Sequence, residues 1–123
     1  MPVVLGCNIS GKKRSAVVLA ALRCGCRYAE AAPERFGATL EALLRGDGTA
    51  APVDAPFGEE LLVLAQLSEG QLDALLAQLR QQRCSIALKA VLTPTNAGWT
   101  VQALYEELCR ERAAFDAGRR AQE

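Results

Sequence analysis

Two stretches of this chain, residues 33–43 and 94–104, fit a single pattern, Pro-x3-Gly-x-Thr-[Leu/Val]-x-Ala-Leu. A repeat constrains the fold strongly, because both copies must form the same local structure and bury their apolar faces together. The correspondence extends upstream. Ser10 and Ser68 stand 58 positions apart, and that offset pairs Val3 with Leu61, Val4 with Leu62, Val17 with Leu75 and Val18 with Leu76. Past the second strand the offset becomes 61, as if three residues had been inserted. Pro33, Gly37, Thr39, Ala42 and Leu43 then meet Pro94, Gly98, Thr100, Ala103 and Leu104. Alanine and leucine recur by chance in helices, whereas proline, glycine and threonine at turn positions carry conformational information. The chain reads as an internal duplication within a single domain, 1–123, with halves 1–46 and 59–116 and a linker over 47–58.

Each half carries the same succession of signals. Val3-Val4-Leu5 is a short β-type run ended by Gly6-Cys7-Asn8, and Ser10 can cap a helix with Ala16, Val17, Leu19, Ala20 and Leu22 on its apolar side. Gly25 stops that helix, Cys26 to Ala31 reads as a weaker strand closed by Pro33, and a second helix is expected from about Arg35 to Arg45. Gly46 to Thr49, with Pro52 and Pro56, predicts a flexible connector. In the second half Leu61–Ala65 is a continuous apolar run of the kind buried on both faces. Ser68 and Gln71 have capping-box spacing, and Leu72, Leu75, Leu76 and Leu79 give the helix one apolar side. Ile86–Leu92 is the next strand, and Thr100 can cap a last helix carrying Val101, Leu104, Tyr105, Leu108 and Phe115.

The order βαβα, linker, βαβα predicts an α/β fold. Two strand–helix–strand units about a pseudo-twofold give a four-stranded sheet, ferredoxin-like in arrangement, with an extra helix per half. Those extra helices either lie across the open sheet face or swap onto a neighbouring chain. Half of the residues are hydrophobic, and 14 basic side chains balance 14 acidic ones. A net charge of zero gives no overall field for nucleic acid or an anionic membrane, so neither is expected as a partner. No apolar stretch approaches the roughly 20 residues that span a bilayer, and the N-terminus lacks a basic leader pattern. Together with five cysteines set mostly among apolar neighbours, this predicts a cytoplasmic protein with reduced thiols.

The least generic stretch is Lys89 to Thr100. With the preceding helix it resembles a bacterial family of unknown function marked by a Thr-x-x-Asn turn, a tryptophan and a helix. Thr93, Asn96 and Trp99 fall on those marks, and the resemblance covers roughly Leu61 to Arg112. It implies no particular activity. In the first half Arg35 and Ala38 stand where Asn96 and Trp99 stand in the second.

Candidate chemistry is sparse. The absence of histidine removes the usual general base, the commonest zinc ligand and the ordinary catalytic triads. Thr93, Thr95, Asn96, Trp99 and Thr100 gather hydroxyls and an amide around the single indole, where a strand feeds a helix, and form the candidate ligand or partner site. The same residues suit a purely structural turn: Asn96 in an Asx-turn, Thr100 as a cap and Trp99 as a staple. Gly6 to Lys13 nearly matches the phosphate-cradling Gly-x4-Gly-Lys-[Ser/Thr], but Lys13 replaces the Mg²⁺-binding hydroxyl. Anion binding by Lys12, Lys13 and Arg14 is the reading that remains. Cys24-Gly25-Cys26 supplies two thiols and no second pair, so no metal and no cofactor are expected. The expected function is a non-catalytic module binding a small ligand or a protein partner. The rivals are a small enzyme using Asn96 with a threonine hydroxyl, Lys89 or a cysteine, and a homo-oligomer assembled through the extra helices.

Overall fold

The two apolar runs of the sequence become the two central strands. A computed structural model of the chain describes residues 2–47 and 49–121. Its elements are β1 (Val3–Cys7), α1 (Gly11–Arg23), β2 (Arg27–Ala31), a 3-10 turn (Pro33–Arg35), α2 (Leu40–Leu44), β3 (Leu61–Ala65), α3 (Glu69–Gln81), β4 (Leu88–Val91) and α4 (Val101–Ala121). The sheet order is β2-β1-β3-β4. β1 and β3 run antiparallel at the centre, and each has its own second strand parallel on the outside. Every residue of β1 and β3 is buried, which explains why both read as unbroken apolar runs rather than alternating ones.

The fold is α/β with a four-stranded sheet, but each strand–helix–strand unit is unsplit. In a ferredoxin-like arrangement another strand separates the two parallel strands of each unit. Here β1 and β2 are direct neighbours, as are β3 and β4. The three-residue link Cys24–Cys26 leaves the chain beside the strand it came from. The extra helices lie across the second sheet face. Val4, Leu62 and Leu64 pack with Val17, Ala20 and Ala21 of α1 and Leu75 and Leu79 of α3. Leu5, Cys7, Leu61 and Val63 pack on the other side with Leu40 and Leu43 of α2 and Val101 and Leu104 of α4. Alternate residues of one strand therefore serve two cores, and three layers result.

The second helix is much shorter than the expected span from Arg35. Residues 36–39 are held by tertiary bonds instead: Gly37 N–H donates to Ala51 at 2.7 Å, and Leu40 N–H donates to the Trp99 carbonyl at 2.9 Å. A Cβ on Gly37 would stand 2.6 Å from the Ala51 oxygen, so this crossing needs glycine. Thr39 then caps α2 by accepting from Ala42 N–H.

Positions matched by the sequence offsets face one another. Leu5 lies opposite Val63, 58 further on, and Thr39 bridges to Thr100, 61 further on. The bonds Leu40 N–H to Trp99 and Val101 N–H to Ala38 are reciprocal under the second offset. Val3 is opposite Arg27 in one strand pair and Leu61 opposite Leu88 in the other, so the offset has already changed before the second strand. The two offsets together leave Ser85–Ala87 without counterparts in the first half.

Among its described residues the connector has no helix or strand, and it is fastened at a few points. Ala51 N–H donates to Glu34. Phe57 stacks between Phe36 and Tyr105, with ring centroids 4.4 and 4.1 Å away. The amide of Asn8 donates to the carbonyls of Phe57 and Glu59 at 2.8 and 3.0 Å.

Candidate functional site

The turn between β4 and α4 is built around Asn96, the one polar residue buried among the described residues, at 8 % exposure. Its Oδ1 accepts from Thr93 N–H at 2.8 Å, and its Nδ2 donates to the Val91 carbonyl at 3.1 Å. The Thr93 hydroxyl accepts from Asn96 N–H in return. Asn96 thus closes the turn and also caps the end of β4, an edge strand. Thr100 caps α4 by accepting from Ala103 N–H, and Thr39 does the same for α2. Of the five sequence-predicted residues, Asn96, Thr93 and Thr100 are committed to backbone bonds. Thr95 is exposed, and Trp99 is half-buried against the α2/α4 core.

Trp99 lies where two shallow hollows meet. One, of about 380 Å³, runs between the β4 edge and α4, and Lys89, Thr95, Leu108 and Glu111 line it with Trp99. The smaller one shares Trp99 and Glu107 with it and adds Ala103 and Arg110. Leu104, Glu107, Leu108 and Glu111 were missed by sequence reasoning. Their spacing of three and four residues placed them on one helix face, and Trp99 at the mouth of that helix was the available signal. Glu107 pairs with Arg110 at 2.6 Å. Val91, 52 % exposed, adds apolar surface at the same edge.

The three cations at the start of α1 are not brought together as a free cluster. Lys13 pairs with Glu60 at 2.7 Å, and Arg14 pairs with Glu30 while lying over the Tyr28 ring. The Glu30 carboxylate holds the Arg14 guanidinium charge above its ordinary range. Lys12 forms no ion pair among the described residues. A crevice at the carboxyl ends of β1 and β2 is lined by Asn8, Ser10, Glu30 and Arg35, and the Nε of Arg35 is buried there without a hydrogen-bond partner. Ser10 makes no side-chain cap, whereas Ser68 completes the expected capping box with Gln71. Gly6 admits Tyr28: a Cβ there would collide with the Tyr28 hydroxyl. Burial pushes that phenol up, with Glu30 adding to the effect.

The cysteines are all unpaired. Burial pushes Cys7 up to about 12 and raises Cys24, Cys26 and Cys84 as well, so none of these four is an activated thiolate at neutral pH. Among the described residues no three His, Cys, Asp or Glu are grouped to hold a metal ion, and no helix is long and apolar enough to cross a membrane.

No curated protein and no solved structure matches the chain. Residues 60–115, which take in β3, α3, β4 and most of α4, match the family model of a domain of unknown function, DUF3783.

Proposed function

We propose that this protein is a non-catalytic binding module whose contact surface is the Trp99 corner, and that its partner is a protein. The observation that carries this reading is the half-exposed indole between two open hollows. Leu108 and Val91 supply apolar surface beside it, and Lys89, Arg110 and Glu111 supply a rim of both charge signs. An aromatic anchor inside a polar rim is the usual anatomy of a protein contact, and shallow open hollows suit a partner surface better than an enclosed small molecule. A catalytic role for Asn96 has less support. Both ends of its amide are occupied, and Lys89 Nζ donates to the Ile86 carbonyl at 3.4 Å.

We also infer that the halves are copies of one βαβα unit, supported by the matched registers and the two self-facing pairs, Leu5–Val63 and Thr39–Thr100. The five unpaired thiols fit a reducing, cytoplasmic setting.

The test is site-specific photo-crosslinking in expressing cells. A photoreactive residue at Thr95 or Ala103 should give one discrete heavier adduct, and the same residue at Asp73 on α3 should not. Adducts from neither corner position, or equal adducts from Asp73, would sink the assignment.

A further inference from the structure

Another hollow, of about 480 Å³, lies between the C-terminal end of α3 and the start of β4. Arg80, Arg83 and Lys89 line it together with Ser85 and Cys84, and Leu76 and Leu79 supply apolar wall. No acidic residue lines it. Arg80 and Arg83 form no side-chain hydrogen bond or ion pair among the described residues. The nearby Lys13 is already neutralised by Glu60. Lys13, Glu60 and Lys89 are the charges that bear on the half-buried Cys84 thiol.

The cations are peculiar to this half. By the offsets that relate the halves, Leu22, Gly25 and Tyr28 occupy the positions of Arg80, Arg83 and Lys89, and Ser85 has no counterpart. Arg83 also sits at φ 53°, where its counterpart Gly25 has φ 73°. The helix dipole favours a cation near the end of α3 and so accounts for Arg80. It does not account for a long side chain at a left-handed position that glycine or asparagine fills with less strain. Strain of this kind recurs where a side chain is needed in one place.

We propose that this hollow binds a phosphorylated small molecule. Arg80, Arg83 and Lys89 grip the phosphoryl group, Ser85 adds a hydroxyl, and the organic portion lies on Leu76 and Leu79. Guanidinium forks match phosphate oxygens in paired hydrogen bonds, and three cations balance a dianion without help from the rest of a neutral protein. The site is independent of the Trp99 corner except at Lys89, which lines both hollows. The decisive variants therefore avoid it.

Calorimetry on the full chain with inorganic phosphate, glucose 6-phosphate and AMP tests the proposal, alongside peptide-level alkylation of Cys84. An organic phosphate should bind with Kd below about 1 mM, more tightly than inorganic phosphate, and should slow Cys84 alkylation. Added salt should weaken it. Arg80→Gln should weaken binding about tenfold or more, the worth of one charge-assisted contact. Arg83→Asn should weaken it equally without lowering the unfolding midpoint, because asparagine accepts the left-handed turn. The proposal fails if none of the three probes protects Cys84, or if both variants bind as tightly as the parent. A single-stranded oligonucleotide bound far more tightly than AMP would overturn it in favour of a nucleic-acid surface.

Discussion

Asn96 carries more of the corner's structure than any other side chain in it. Removing its buried amide leaves the Val91 carbonyl and Thr93 N–H without their partners and opens space where the side chain was. Asn96→Ala should therefore lower stability by about 2–3 kcal/mol, measured by urea unfolding. Asn96→Asp separates the two bonds. An ionised carboxylate keeps the Thr93 acceptor but repels the Val91 oxygen, whereas the protonated acid can donate in place of the amide. Its folded pKa is then raised above the unfolded value of about 3.9. The stabilising contribution is full below that value and is lost as pH rises through the folded one. Asn96→Asp should thus sit closest to the parent in mild acid and fall away toward neutrality. An equal deficit at both ends would show that the donor bond to Val91 is not made.

The strap from Ala51 to Glu60 links the halves, and its last anchor is electrostatic. Arg112 of α4 grips both oxygens of Glu59 at 3.1 and 2.9 Å, and the Tyr105 hydroxyl donates to it at 2.7 Å. The Arg112 and Tyr105 hydrogen bonds hold the Glu59 carboxyl down at about 2, from an ordinary 4.5. A depressed carboxyl contributes stability above its unfolded pKa and loses it as pH falls through the folded one, here between about 4.5 and 2. Unfolding midpoints followed across that window should fall more steeply for the parent than for Glu59→Gln; parallel curves would mean the carboxylate is free in solution. None of this strap was legible in the sequence, and the reason is physical. Local signals were read correctly: the Ser68–Gln71 capping box, the Leu61–Ala65 strand and the Thr100 cap all depend on neighbours a few residues away. The shortened α2, the stacking of Phe57, and the partners of Lys13 and Arg14 depend on contacts between residues far apart in the chain, from Gly37 with Ala51 to Leu40 with Trp99, which no periodicity encodes. The corner divides in the same way. Asn96 as a turn brace and Thr100 as a cap were legible, but the α4 face opposite Trp99 and the convergence of Arg80, Arg83 and Lys89 needed the fold.

The antiparallel seam between β1 and β3 is where the two βαβα units meet, and it relates residues as a twofold would. Leu5 faces Val63, and Val3 and Cys7 face Ala65 and Leu61. Substituting a second β3 for β1 puts Val63 opposite Val63, Leu61 opposite Ala65, and Thr100 opposite Thr100. The exchange avoids one clash, because Gly6 and Tyr28 are replaced together by Leu64 and Lys89, which removes the ring that needed the glycine. A fragment of residues 59–121 exposes the β3 edge and the inner faces of α3 and α4, too much apolar surface for a small chain to carry alone. It should escape by forming an isologous dimer whose eight-element core copies the full-length protein. Light scattering should give twice the fragment mass, with far-ultraviolet circular dichroism close to that of the intact chain. Val63→Asp at the seam should abolish both. A fragment that stays monomeric and unstructured at high concentration would mean that the halves, though alike in register, are no longer interchangeable. The shared seam would then depend on first-half residues, with the strap and its Phe57 stack as the feature that made them so.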